Sequence, residues 1–168
     1  MKEMYERRKT AAMWYYNFSE KHARSVQILV DSQHSHIDET INFLRGLSLE
    51  LLLKAVICAK TNKAPPPGHN LKFLAERAVI KLSKEQLDLC ILFTHYINYA
   101  GRYPSPLKVE AADEFHATFR KTQYLKKKMG KMDVLTPNGK GKSYLNHENY
   151  KMLYSDFLIA FFHAWERQ

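Results

Sequence analysis

Glu50 and Lys54 are the first residues of the sequence whose types and spacing suggest a site. They stand four apart within "FLRGLSLELLLKAVI" (43–57), in the order that favours an ion pair on one helix. The residues that share their stripe, Phe43, Leu47 and Ile57, are apolar, so the pair would lie where other helices pack, and burying it costs desolvation. Two interpretations stay open: a pair that fixes how helices dock, or the polar floor of a ligand-binding groove.

A second set of residues runs from Asp88 through His95 to Arg102 at intervals of seven, with Asn98 between them. If helical geometry continues over this span, the three share one face. An imidazole beside a guanidinium could transfer protons while the arginine holds a phosphate, which makes His95 and Arg102 candidates for catalysis and ligand binding. The alternative is that this stripe is the solvated side of a helix.

Arg102 and Tyr103 lie in "NYAGRYPSP" (98–106), between Gly101 and Pro104. Glycine lets the backbone leave a helix and proline prevents a new one, so the two side chains are presented at a fixed helix end. Both are therefore candidate ligand-binding residues. His69 follows "PPPG" and either caps the next helix or reaches the groove. Tyr103 could instead pack only, and Arg102 could pair with Glu50.

A basic run with interleaved tyrosines, Tyr124 and Tyr144, follows later in the chain. Clustered cations are typical of contact with a phosphate backbone, and tyrosines add stacking. The net charge of +9 favours an anionic partner, nucleic acid first, although a solvated surface or a helix C-terminus also suits lysines. The predicted nucleic-acid contacts are Arg120, Lys121, Lys126, Lys127, Lys128, Lys131, Lys140 and Lys142.

The elements that position these residues are predicted to form an all-α, up-and-down antiparallel bundle of five to six helices. The 168 residues suit a single domain. Apolar stripes and caps predict helices over about 10–31, 37–61, from 70, 83–100, from 109, and 147–167. The core-facing stripes are Tyr15, Phe18, His22, Val26 and Leu29 in the first helix, and Tyr150, Leu153, Phe157, Phe161 and Trp165 in the last. A small hairpin over 134–144 would turn at Asn138-Gly139.

Other function classes are not expected. Cys58 and Cys90 sit in apolar helical runs and read as buried free thiols. His34 and His36 lack a third ligand, so no metal and no cofactor are predicted. "GKGKS" (139–143) is no phosphate-binding loop, because Thr136 stands where that loop requires glycine. The longest apolar stretch is interrupted by charges, so we expect no membrane span and a cytoplasmic location.

The chain resembles the HEPN domain family in three segments that occur in the family's order: "FLRGLSLELLLKAVI" (43–57), "GHNLKFL" (68–74) and "AGRYP" (100–104). The resemblance covers about residues 23–106, with variable final helices from 109. It implies a helical bundle, commonly a homodimer, linked to nucleotides or RNA. It also implies that Arg102 and Tyr103 are the family's helix-end pair, which would point at a groove lined by Glu50, Lys54 and His69. Many members are ribonucleases that use an arginine, four to six residues, then a histidine. No arginine here has a histidine at that distance.

The resemblance and the basic run together predict a non-catalytic HEPN-like domain that binds a nucleotide or RNA. Its setting would be regulatory, defensive or toxin–antitoxin, with a nucleotidyltransferase or antitoxin-like protein as a further partner. Two alternatives remain. One is a metal-independent endoribonuclease with a displaced site built from His95 and Arg102. The other is a module for protein–protein interaction.

Overall fold

The computed structural model describes residues 11–33, 37–101, 109–130, 132–137 and 144–167. The prediction of an all-α bundle is confirmed. None of the described helices is both long and apolar enough to cross a membrane. The helices are α1 (Ala12–Asp31), α2 (Asp38–Thr61), α3 (Leu71–Arg77), α4 (Lys84–His95), α5 (Val109–Gln123) and α6 (His147–Trp165).

Helix α2 is the centre of the bundle. It contacts α1, α3, α4 and α6, and residues such as Leu49, Ala55 and Cys58 are fully buried on different sides of it. Its first turn carries Asp38 and Glu39, which suit the positive end of the helix dipole. A helix that is apolar on nearly every side must be surrounded by other helices, as the sequence predicts.

Helix α4 begins at the predicted capping box. Ser83 Oγ accepts from the Gln86 N–H at 3.2 Å, and the Ser83 N–H donates to Gln86 Oε1 at 2.9 Å. The α-helix ends at His95, where a π-helical turn (Tyr96–Ala100) takes over. The prediction of α-helix through residue 100 is therefore wrong in its last turn. Because a π-helical turn holds more residues than an α-helical turn, the side chains of Tyr96–Ala100 point in other directions around the axis than an α-helix would give them.

The hairpin lies earlier in the chain than predicted. Strands β1 (Tyr124–Met129) and β2 (Met132–Pro137) pair antiparallel, with Met129 opposite Met132. Gly130 has a φ of +63°, which only glycine adopts at little cost, and this permits the two-residue turn. The predicted turn at Asn138-Gly139 lies outside the described residues. Lysines 126–128 therefore lie on a strand and not at a helix end.

The predicted stripe of α6 is confirmed for Tyr150, Leu153, Phe157 and Phe161, which are all buried, but Trp165 is 40% exposed. The predicted stripe of α1 is confirmed in part: Val26 is fully buried, and Tyr15 and Leu29 pack against the core. Its buried residues are Ala12, Ser19 and Val26, whereas Phe18 is 46% exposed. Ser19 Oγ donates to the Ser48 carbonyl oxygen at 2.7 Å, so a small residue gives α1 its close approach to α2.

Both cysteines have the predicted state. Cys58 and Cys90 are buried thiols, and neither forms a disulfide. Burial raises the pKa of the Cys58 thiol to about 11 and that of the Cys90 thiol to about 12, so neither forms a reactive thiolate near neutral pH.

Candidate functional site

Glu50, Lys54 and His69 form one cluster on the face of α2. The Glu50 residue is only 2% exposed. Its Oε1 accepts from Lys54 Nζ at 2.6 Å, and its Oε2 lies 2.8 Å from His69 Nδ1. The Lys54 side chain is 13% exposed and the His69 side chain 43%. We call these three residues the Glu50 cluster. The predicted ion pair at i, i+4 is confirmed, and His69 joins it from a different segment.

The imidazole of His69 is held in one orientation. An ionised carboxylate only accepts hydrogen bonds, so Nδ1 carries the proton that bonds to Glu50. In the tautomer with its proton on Nδ1, the ring has Nε2 as an acceptor for a ligand. His69 does not cap α3, because Asn70 Oδ1 accepts from the Phe73 N–H at 3.0 Å and performs that role. Of the two interpretations of His69, the capping one is therefore wrong.

Helix α3 is fixed beside the cluster by α4. The Leu71 N–H donates to Thr94 Oγ1 at 3.0 Å, which ties the start of α3 to the end of α4. The end of α4 packs closely on α2 at Gly46, where a Cβ atom would lie 2.7 Å from Ile97 Cγ1. Two rigid helices thus position the loop that carries His69.

The chain beyond the π-helical turn reaches α2 at Phe43. A Cβ atom on Gly101 would lie 2.5 Å from the Cβ of Phe43, so this glycine permits a close approach. Phe43 precedes Glu50 by seven residues, or about 10 Å along the helix axis. Arg102 and Tyr103 lie outside the described residues, and their part in the groove stays a prediction.

Asp88 and His95 face α5 and are buried, each 8% exposed. Lys121 Nζ bonds both carboxylate oxygens of Asp88, at 2.8 and 2.6 Å. Burial, with a smaller effect of His116, lowers the pKa of His95 to about 4. The interpretation of this stripe as a solvated helix side is wrong for both residues. Because α4 ends at His95, the seven-residue spacing from His95 to Arg102 no longer indicates a shared α-helical face. Asn98, which lies in the π-helical turn, is exposed.

The environment of His95 also determines its charge. Its ring packs edge-on against Tyr99, with centroids 3.8 Å apart. With a pKa of about 4 the imidazole is neutral at pH 7. A neutral, buried imidazole cannot act as the cationic acid of a phosphodiester cleavage at that pH.

The end of α5 and both faces of the hairpin carry exposed residues, three cations and a tyrosine, that we call the basic surface: Arg120, Tyr124, Lys127 and Lys128. All four are exposed, and the three cations make no ion pair with any described residue. Residues 115–132 include no acidic residue. The one carboxylate that the described hairpin places opposite a residue of the basic surface is Asp133, which pairs with Lys128. The strand directs Lys127 and Lys128 to opposite faces of the hairpin.

Other members of the predicted basic run take different roles or are not described. Lys121 is bound to Asp88 and so serves the packing of α5 on α4. The Tyr144 hydroxyl donates to the Glu85 carbonyl oxygen at 2.7 Å, burial raises its pKa, and its ring packs against the core; its role in stacking stays a prediction. The side chain of Lys126, and residues Lys131, Lys140 and Lys142, lie outside what the structure describes.

Sequence reasoning missed a buried polar network between α1, α2 and α6. Ser48 Oγ lies 2.8 Å from the Tyr150 hydroxyl, and Ser19 Oγ lies 3.2 Å from the Tyr154 hydroxyl. Arg45, one turn before, is 6% exposed. A charged residue inside the most apolar helix was the signal that could have identified this network.

No family model, curated protein or solved structure matches the chain. The resemblance to the HEPN family therefore stays a prediction. Within the described ranges, no group of three histidine, cysteine or acidic side chains could hold a metal ion.

Proposed function

We propose that the protein is a non-catalytic HEPN-like domain that binds single-stranded RNA through the basic surface. The observation that carries this proposal is the exposure of Arg120, Lys127 and Lys128 with no ion-pair partner among the described residues. Exposed cations without counter-charges release condensed ions when they contact phosphates, which drives binding.

Tyr124 supports a single-stranded ligand. Its ring is 38% exposed and lies on β1, beside the lysines. An exposed ring next to cations can stack on an unpaired base while the cations contact the backbone, and every base has a face for such stacking. Bases inside a duplex are not accessible to a single ring.

The Glu50 cluster would serve the same function as a second contact. Nε2 of His69 can accept a hydrogen bond from a hydroxyl or amine of a nucleotide, and Lys54 supplies a cation. Arg102 and Tyr103 would complete this groove. Assembly as a homodimer, a nucleotidyltransferase or antitoxin-like partner, and a regulatory or defence setting rest on the HEPN resemblance alone.

The non-catalytic part of the proposal is supported by the burial of His95, which is 8% exposed and packs against Tyr99, so its ring is not presented to a substrate. RNA incubated with the protein in excess EDTA should stay intact, in the wild type as in Arg102→Ala. Fragments that appear with the wild type only would instead favour the displaced ribonuclease site. A co-purifying protein without bound RNA would favour an interaction module.

Binding is tested by fluorescence anisotropy with a labelled single-stranded RNA at low salt. The variant K127Q/K128Q removes two cations of the basic surface. The control K63Q/K81Q removes two exposed lysines elsewhere, with the same change of net charge. We expect weaker binding for the first variant and near wild-type binding for the control. Equal losses in both would mean that the attraction depends on net charge and not on this surface.

A further inference from the structure

A cavity of about 630 Å³ lies where the C-terminal ends of α2 and α6 meet the turn that follows α3, and we call it the end cavity. Small-molecule sites typically have volumes of roughly 300–1,000 Å³, so the end cavity has room for a metabolite-sized ligand. None of the four residues of the basic surface lines it. The described residues of its wall are Ala59, Lys60, Val79, Ile80, Ala160, His163, Ala164 and Arg167.

The polar part of this wall is basic. Lys60, His163 and Arg167 are all exposed, and no described residue of the wall is acidic. Neither the His163 ring nor the Arg167 guanidinium makes a hydrogen bond or an ion pair with a described residue. Lys60 Nζ donates to the Ala78 carbonyl oxygen at 2.7 Å, which leaves two of its three N–H donors for a ligand. Cations without counter-charges on a concave wall attract an anionic group.

The rest of the wall is apolar. Ala59 and Ala164 are buried and Ala160 is half-buried, so small side chains on α2 and α6 leave the space between the two helix ends open. Ile80 is half-buried, and Val79 beside it is 78% exposed. Ligand sites commonly combine such apolar surface with a few polar groups that fix the orientation of the ligand. A ligand that fits this wall therefore has an apolar body next to its anionic group.

The conformation of Val79 is a second observation that favours a ligand. Its φ of +53° is a left-handed conformation, which is unfavourable for a β-branched residue. Because the residue is 78% exposed, packing within the described chain does little to compensate for this strain. Strained backbone positions cluster at ligand-binding sites. An apolar ligand body that lies on Val79 would give its side chain the burial that it lacks.

We propose that the end cavity binds an amphiphilic anion, which is a carboxylate or a phosphate monoester with an apolar body. The anionic group lies against Lys60 and Arg167, because hydrogen bonds between charged partners are stronger than those between neutral ones. The apolar body lies on Val79 and Ile80. This site is separate from the basic surface and does not depend on RNA binding.

The test is a fluorescence titration at pH 7 with anilinonaphthalene sulfonate, an aromatic anion that becomes brighter in an apolar site. The matched variants are Val79→Asp and Val79→Asn, which remove the same apolar group and both suit a left-handed backbone, so that only the charge differs. We expect Val79→Asp to bind the probe about fivefold more weakly than Val79→Asn, because a carboxylate beside the cations repels the sulfonate. Octanoate, octyl phosphate and octanol then compete with the probe at equal concentrations. We expect octanoate or octyl phosphate to displace it where octanol does not, and the anion that does so identifies the head group of the ligand.

The proposal is overturned if the wild type does not bind the probe, if the two Val79 variants bind it equally, or if neither anion displaces it better than octanol. If Val79→Asp does not fold, Arg167→Gln decides in its place. It removes one exposed cation of the end cavity, and Lys128→Gln, which removes one exposed cation of the hairpin, is the control with the same change of net charge. Weaker binding of the probe by Arg167→Gln alone supports the site, and equal affinities of the two variants contradict it.

Discussion

Glu50 on α2 and His69 at the entry to α3 are joined by a contact of 2.8 Å between Oε2 and Nδ1, across nineteen residues of sequence. The contact ties the segment after the three prolines to the central helix. The same carboxylate holds Lys54 through its other oxygen. One buried acid thus holds both a cation and an imidazole, and it is the centre of the Glu50 cluster.

Glu50→Ala should destabilise the protein by about 3 kcal/mol, because it leaves the mostly buried Lys54 without its counter-charge. Urea unfolding at pH 7 measures this change. Glu148→Ala is the matched control, since that carboxylate is exposed and its ion pair with Lys151 should contribute about 0.5 kcal/mol or less. Similar small losses for both variants would contradict the structural role of the Glu50 cluster.

Val79→Gly should stabilise the protein by about 1 kcal/mol. Val79 has a φ of +53°, a left-handed conformation that is unfavourable for a β-branched residue. It ends α3 in a Schellman motif, in which the Ile80 N–H donates to the Ala75 carbonyl and the Val79 N–H to Glu76. The side chain is 78% exposed, so its removal loses little packing. Thermal unfolding checks this, and Val79→Ala, which keeps a Cβ atom, should gain much less.

Stability should fall by about 2 kcal/mol as the pH is lowered from about 6.5 to 4 through His95. Burial lowers the pKa of this histidine to about 4 in the folded state, from 6.5. The unfolded chain therefore binds the proton first, and each step down in this window favours unfolding. Urea unfolding at several pH values should show a flatter profile for His95→Gln than for the wild type. Parallel profiles would mean that His95 titrates normally.

Tyr124→Ala should weaken binding of single-stranded RNA about tenfold, because a base loses its stacking partner. Tyr124→Phe keeps the ring and should bind like the wild type. Anisotropy titrations at one salt concentration compare the three proteins. If the alanine variant binds as tightly as the wild type, the ring is not a stacking platform and the contact is purely electrostatic.

The sequence was sufficient for the bundle, the centrality of α2 and the pair of Glu50 with Lys54, because these follow from local spacing. It was not sufficient for the register of α1, where Trp14, Tyr15, Tyr16 and Phe18 place aromatic rings on every side and no stripe is preferred. The small Ser19 could be recognised as the contact only once its partner on α2 was known.

The π-helical turn and the hairpin were missed for different reasons. The turn occurs where α4 packs closely on α2, which is a tertiary contact that no local pattern encodes. The hairpin was misplaced because Asn-Gly is the stronger turn signal in general, whereas Gly130 makes the turn here. The pairing of His69 with Glu50 does not follow from local spacing. It could be expected only because both residues were predicted to line one groove.

The salt dependence of RNA binding tests the central claim most directly. The logarithm of the association constant, plotted against the logarithm of salt concentration, falls by about 0.7 for each phosphate contact on a single strand. We predict that K127Q/K128Q has a slope shallower than that of the wild type by about 1.4, while K63Q/K81Q keeps the wild-type slope. Identical slopes for all three proteins, or no binding by the wild type at low salt, would contradict RNA recognition by the basic surface.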